Sequence, residues 1–195
     1  MSRNSQIERN TTETQIKINF ELDGTGTYKI ASGVRFFDHM LELFTRHGRF
    51  TLSVACVGDV DVDAHHSVED IGICLGLAIK EAMGDKKGIL RYATAFTPMD
   101  EALSRVSLDI SNRSFLVFDS TFTNDRVGDL PTELVEEFFR AVAFNAGLTL
   151  HIAVEYGKNN HHMIEAIFKG FGRALREATR IDATMDGVMS TKGQL

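Results

Sequence analysis

The sequence predicts an α+β protein made by internal duplication, and three observations lead there. The pattern strand, strand, helix, strand, helix is written twice along the 195 residues. The motif His-His-x-x-Glu occurs at His65-His66-Ser67-Val68-Glu69 and again at His161-His162-Met163-Ile164-Glu165, about 96 residues later. Only two prolines interrupt the chain and no low-complexity tract divides it, so a linker between independent domains is not expected. The expectation is one domain over residues 1–195, made of two similar halves, about 8–95 and 96–195, each a small sheet with helices on one face.

The elements follow from hydrophobic periodicity. Residues 1–12 are polar and are expected to be loose. Thr14 to Phe20 alternates apolar and polar residues, as a half-buried strand does; Leu22 to Gly26 supplies turn residues, and Thr27 to Ile30 can return as a second strand. From Phe36 the period becomes helical, with Phe37, Met40, Leu41 and Phe44 on one stripe and Gly48 as the stop. Phe50 to Val57 reads as a strand with Leu52, Val54 and Cys56 on one face, and Gly58 to Asp63 as an acidic loop. The helix after His66 directs Val68, Ile71, Leu75, Ala78, Ile79 and Ala82 inward, and Gly72 and Gly76 imply a closely approaching neighbour. In the second half, Ala102 to Ile110 alternates, and Ser111-Asn112-Arg113 is expected to be a hairpin turn into Ser114 to Phe118. A helix follows Pro131-Thr132-Glu133 and ends at Gly147; Thr149 to Val154 is a strand; the second His-His helix directs Ile164, Ile167, Phe168, Phe171 and Leu175 inward.

Composition narrows the function classes. The net charge is −6 without a basic tract, which argues against a nucleic-acid partner. No apolar run is long enough to span a membrane, and Met1 to Gln6 lacks the apolar core of a signal peptide, so the expected location is the cytoplasm. Cys56 and Cys74 lie in apolar runs and are expected to be buried thiols rather than a disulfide.

The chemistry lies in the repeated motif. Residues four apart on a helix share a face, so His65 stands with Glu69 and His161 with Glu165, each pair able to grip one cation. The adjacent His66 and His162 are rotated by about 100° and face other partners. A lone histidine pair is most often structural; two copies at matched positions, each with its glutamate, favour a metal. Imidazole with carboxylate suits manganese, iron, cobalt or zinc. His39 alone would read as a core histidine, but matching Thr51-Leu52 with Thr149-Leu150 sets it opposite Glu137, which makes a third ligand from each half plausible. His47 and His151 have no counterpart and read as structural. Arg91, Arg113, Lys169 and the tail Ser190-Thr191-Lys192 are candidates for anion binding, each weak alone.

Four motifs in order, Phe37-Asp38-His39-Met40-Leu41, Asp63 to Asp70, Lys158 to Ala166 and Ser190-Thr191-Lys192-Gly193, closely resemble the imidazoleglycerol-phosphate dehydratases of histidine biosynthesis, from about Glu8 to the end of the chain. The resemblance implies a hydro-lyase with two Mn²⁺ per active site, one held by His39, His65, Glu69 and His161, the other by His66, His162, Glu165 and Glu137, a position where histidine is frequent in the family. It further implies substrate contacts from Glu13, His65, His66, Glu69, Arg91, Arg113, His161, His162, Glu165, Lys169, Ser190, Thr191 and Lys192, with Glu13, Glu69 and Glu165 as the catalytic carboxylates. It also implies a homo-oligomer of about 24 subunits with sites shared between neighbours.

The reaction would convert D-erythro-imidazole-glycerol phosphate to imidazole-acetol phosphate. The proton to be lost has no adjacent carbonyl to acidify it. Two cations on the ring nitrogens would stabilise an imidazolate, which could expel the neighbouring hydroxyl as a diazafulvene forms; a carboxylate, with Glu13 the candidate, would then take the proton. A dinuclear metallohydrolase acting on a phosphorylated small molecule is the alternative, and a ferritin-like metal store is disfavoured by the many strands.

Overall fold

The computed structural model describes residues 3–194. The first half contains strands β1 (Asn4–Asn10), β2 (Thr14–Glu21) and β3 (Thr27–Ala31), helix α1 (Arg35–Gly48), strand β4 (Thr51–Gly58) and helix α2 (Ala64–Met83). The second half repeats them as β5 (Tyr92–Met99), β6 (Ala102–Asp109), β7 (Phe115–Asp119), α3 (Glu133–Ala146), β10 (Thr149–Tyr156) and α4 (Asn160–Ala178), with a small added ladder of β8 (Arg126–Val127) and β9 (Leu130–Pro131). The first three strands recur 88 residues on, from residue 4 to residue 92 for β1 and β5. The next helix and strand recur 98 residues on, from residue 35 to residue 133, and the last helix 96 residues on, from residue 64 to residue 160. The added ladder accounts for the change from 88 to 98.

The sheets run β1-β2-β4-β3 and β5-β6-β10-β7, four strands each. Two expectations are corrected here. The N-terminal segment is not loose: β1 pairs with β2 over its whole length, from Asn4 opposite Glu21 to Asn10 opposite Gln15. The described repeat therefore has three strands before its first helix, and the second half starts at Tyr92 rather than at residue 96. Nor do β3 and β7 form hairpins with the strands before them. Each runs parallel to the strand beyond the next helix, β3 to β4 and β7 to β10, as β-α-β units do. Ser111 to Arg113 is accordingly a connection across the sheet and not a hairpin turn.

Four helices fill the space between the two sheets. α1 packs on α4 and α2 on α3, so each helix pair joins the halves. One apolar core runs through both: Phe37 of α1 meets Phe138 of α3 edge-on at 5.0 Å, and Phe138 stacks on Phe168 of α4 at 5.4 Å. Each such side chain contributes about 1.5–3 kcal/mol by leaving water. Gly72 and Gly76 act as the sequence implies. A Cβ on Gly72 would lie 2.8 Å from Ala141 Cβ, and one on Gly76 2.7 Å from Asn145 Cβ, so α2 and α3 touch at their backbones. Gly48 is the last helical residue of α1; the left-handed position that ends the helix is Arg49, with φ 56°. Cys74 is fully buried and Cys56 only half-buried, and both are free thiols. No helix among the described residues is long and apolar enough to cross a membrane.

Candidate metal centre

Both His-His motifs sit in the first turn of a helix, held there by an N-cap. The Asp63 carboxylate accepts from the His65 N–H at 3.0 Å, and the Asn159 side-chain oxygen accepts from the His161 N–H at 2.9 Å. α1 starts against the added ladder of the other half, where the Asp129 carboxylate accepts from the N–H groups of Arg35 and Phe36 at 2.6 and 2.8 Å. That contact sets the start of the helix that carries His39.

One group of three potential ligands converges among the described residues: His39, His161 and Glu165, whose ligand atoms all lie within 4.8 Å of one another. The Glu165 Oε2 atom is 3.0 Å from His161 Nε2 and 3.9 Å from His39 Nε2. His39 is no core histidine, since 45% of its side chain is accessible. Glu165 is buried, with Lys169 Nζ 2.5 Å from its other oxygen. Burial pushes the carboxyl upward, but Lys169 and His161 outweigh it, and Glu165 stays below the ordinary range for its type.

The corresponding residues of α2 and α3 are arranged more loosely. His65 Nε2 lies 3.5 Å from Glu69 Oε2, and Glu69 is nearly half exposed. Glu137 occupies the place of His39, as the repeat spacing implies, and Arg140 Nε neutralises it at 3.4 Å. In a single chain the structure thus sets Glu165 beside His39 and His161, a grouping the family resemblance divides between two ions. His65 and Glu69 form a separate pair.

The second histidine of each motif does face elsewhere. His66 Nδ1 lies 3.1 Å from both oxygens of Asp59 and 3.9 Å from Glu13 Oε2. His162 Nδ1 lies 2.7 Å from Glu101 Oε2. These carboxylates hold both imidazoles above their ordinary range, and His162 in turn pulls Glu101 down to about 2. Asp59 and Glu101 were not legible as site residues. Glu101 could have been found by matching the residue before β6 with the residue before β2, which is Glu13. The turn carrying Glu13 is tied down by Thr14, whose hydroxyl donates to buried Asp70 of α2.

Arg91, Arg113, Ser190, Thr191 and Lys192 come together around a separate cavity of 870 Å³. Arg91 is buried. Its Nε donates to Asp109 at 2.7 Å and its Nη1 to the Met189 carbonyl at 2.5 Å, which pins the tail beside it. None of the metal-type residues lines that cavity, and neither Glu13 nor Lys169 does. His151 lies on the outer face of the second sheet, facing another cavity.

Fold and site together define a duplicated α+β protein with a cluster of histidine and carboxylate side chains of metal-ligand type and a separate basic cavity. The comparisons make this specific. The family profile described as imidazoleglycerol-phosphate dehydratase matches residues 32–175. An imidazoleglycerol-phosphate dehydratase of Clostridium acetobutylicum is 59% identical over 193 residues, covering 99% of this chain and 98% of its own. One of Acetivibrio thermocellus is 57% identical over the full length of both. Among solved structures, the Staphylococcus aureus imidazoleglycerol-phosphate dehydratase superposes with a TM-score of 0.84 at 45% identity, over 92% of this chain and 99% of that one. The Pyrococcus furiosus enzyme, in complex with (S)-C348, gives 0.84 at 36% identity, over 97% and 100%. The chain belongs to the imidazoleglycerol-phosphate dehydratase family, hydro-lyases of histidine biosynthesis.

Proposed function

We propose that this chain dehydrates D-erythro-imidazole-glycerol phosphate to imidazole-acetol phosphate with two bound Mn²⁺ ions, in the cytoplasm, as a homo-oligomer of about 24 subunits. The observation that carries the metal is the His39–His161–Glu165 convergence. Its donors are imidazole and carboxylate with no thiolate, a set that fits manganese. The second imidazoles present Nδ1 to a carboxylate, as histidines around a bound metal usually do. His39, His65, Glu69, His161, His66, His162, Glu165 and Glu137 would hold the pair of ions. When bound, the ions would favour loss of a proton from the substrate ring and so help it expel the neighbouring hydroxyl.

The remaining steps belong to the chain's own side chains. Arg91, Arg113, Ser190, Thr191 and Lys192 hold the phosphate and fix the ring's orientation. Glu13, half exposed in its turn beside His66, takes the carbon-bound proton on a carboxylate oxygen. Lys169 keeps Glu165 ionised and in place. Sharing of sites between subunits is supported by the separation of the basic cavity from the metal-type residues within one chain. The exposed outer faces of β5 and β7, with Phe96, Phe115 and Val117, offer apolar surface for an assembly to cover.

The test is incubation of manganese-loaded protein with imidazole-glycerol phosphate. Imidazole-acetol phosphate should form without release of inorganic phosphate. Phosphate release without the ketone would favour the dinuclear hydrolase instead.

A further inference from the structure

The two histidines that turn away from their motif partners are held by carboxylates that do not correspond. His66 is held by Asp59, the residue that follows β4. The residue that follows β10 is Gly157, and a Cβ there would lie 2.7 Å from Met163 Cγ and 3.0 Å from Ala102 Cβ. An aspartate does not fit. His162 is reached instead from the β5–β6 turn by Glu101, whose counterpart in the first half is Glu13. Glu101 uses both oxygens. Oε2 faces His162 Nδ1 at 2.7 Å, and Oε1 accepts from the N–H groups of Lys158 at 3.1 Å and Asn159 at 2.8 Å.

We propose that Glu101 is a positioning residue: it fixes the proton of His162 on Nδ1 and leaves the Nε2 lone pair for a metal. An ionised carboxylate can only accept, so the ring nitrogen facing it carries the hydrogen. The loop bonds on Oε1 prevent the carboxylate from turning away. Asp100, 3.7 Å from Nε2, is beyond hydrogen-bond reach and does not compete. In the first half Asp59 has taken the same duty, which leaves Glu13, 3.9 Å from His66, free for substrate. The proposal rests on His162 being a metal ligand, but the tautomer is a property of the chain alone.

The test uses full-length metal-free protein labelled with ¹⁵N-histidine and magic-angle-spinning NMR at about pH 9, with His162 assigned through His162→Asn. Wild type should show the Nδ1–H tautomer. Glu101→Gln keeps an acceptor for the two loop N–H groups but offers an NH₂ to Nδ1, so the proton should move to Nε2. Mn²⁺ titration should then show one of two sites weakened roughly 10- to 100-fold, the other unchanged. Asp100→Asn should alter neither readout. An Nε2–H tautomer in wild type overturns the proposal, as does a Glu101→Gln protein with wild-type spectrum and Mn²⁺ affinity. If Glu101→Gln fails to fold, the wild-type spectrum decides alone. If wild type binds no Mn²⁺, the metal reading fails while the spectrum still decides the tautomer.

Discussion

The two halves of the chain share a skeleton and differ in how they hold their carboxylates. Glu165 in the second half is buried, with Lys169 on one oxygen and His161 and His39 on the other. Its counterpart Glu69 is nearly half exposed and touches His65 alone among the ion pairs described; the place of Lys169 is taken by Ile73. Where α1 presents His39 with Glu42 one turn on, α3 presents Glu137 with Arg140, a basic and an acidic side chain in the opposite order. The difference teaches that duplication preserved the spacing of the ligand-type residues while each half found its own way to neutralise and orient them.

The largest effect should come from Glu165→Gln. Loss of a direct ligand should exceed the roughly 10- to 100-fold affinity cost of losing a supporting partner, and activity should fall with metal content. It also leaves half-buried Lys169 without its carboxylate, so the melting temperature of the metal-free protein should drop as well. Glu69→Gln should lower metal affinity but leave that melting temperature unchanged. Equal melting temperatures for the two variants would erase the contrast between the halves. Phe168→Ala, in the aromatic cluster that joins them, should cost about 3–5 kcal/mol in denaturant unfolding. A much smaller loss would mean that each half is stable without the other.

Lys192→Ala should raise the apparent KM roughly tenfold, the weight of one charge-assisted phosphate contact, without changing metal content. The smallest effect concerns pH. Glu101 is lowered to about 2 by His162, so its share of stability is present above the ordinary carboxylate value and is lost as pH falls from about 4.5 to about 2. His162 is raised, so its share is present below about 6.5 and is lost as pH climbs through its raised value. The difference in melting temperature between metal-free wild type and Glu101→Ala should therefore be widest between about pH 4.5 and 6.5.

Much of this was legible in the sequence because apolar period and motif spacing coincide. The stripe of Phe37, Met40, Leu41 and Phe44 gave α1, and the two His-His-x-x-Glu runs gave the helix starts. β1 is hard to read because only Ser5 of its seven residues is buried, so there is little apolar alternation. β5 is hidden for another reason. Its inward residues are the small Ala93, Ala95 and Thr97, and α4 lies so close that a Cβ on Gly170 would be 3.2 Å from Thr97 Oγ1. The parallel pairing of β3 and β7 depends on contacts across a whole helix, which local turn residues do not encode. Asp59 is hidden because it has no counterpart in the other half and only a position in space, whereas Glu101 is legible only through the repeat that sets it opposite Glu13.

The central claim is that a doubled ligand set in this chain holds two cations. Titration of metal-free protein with Mn²⁺, followed by EPR of the unbound ion, tests it most directly. Two tight sites per chain are expected in wild type and at most one in His161→Ala; a wild-type chain that binds none, or a variant that still binds two, would contradict the account.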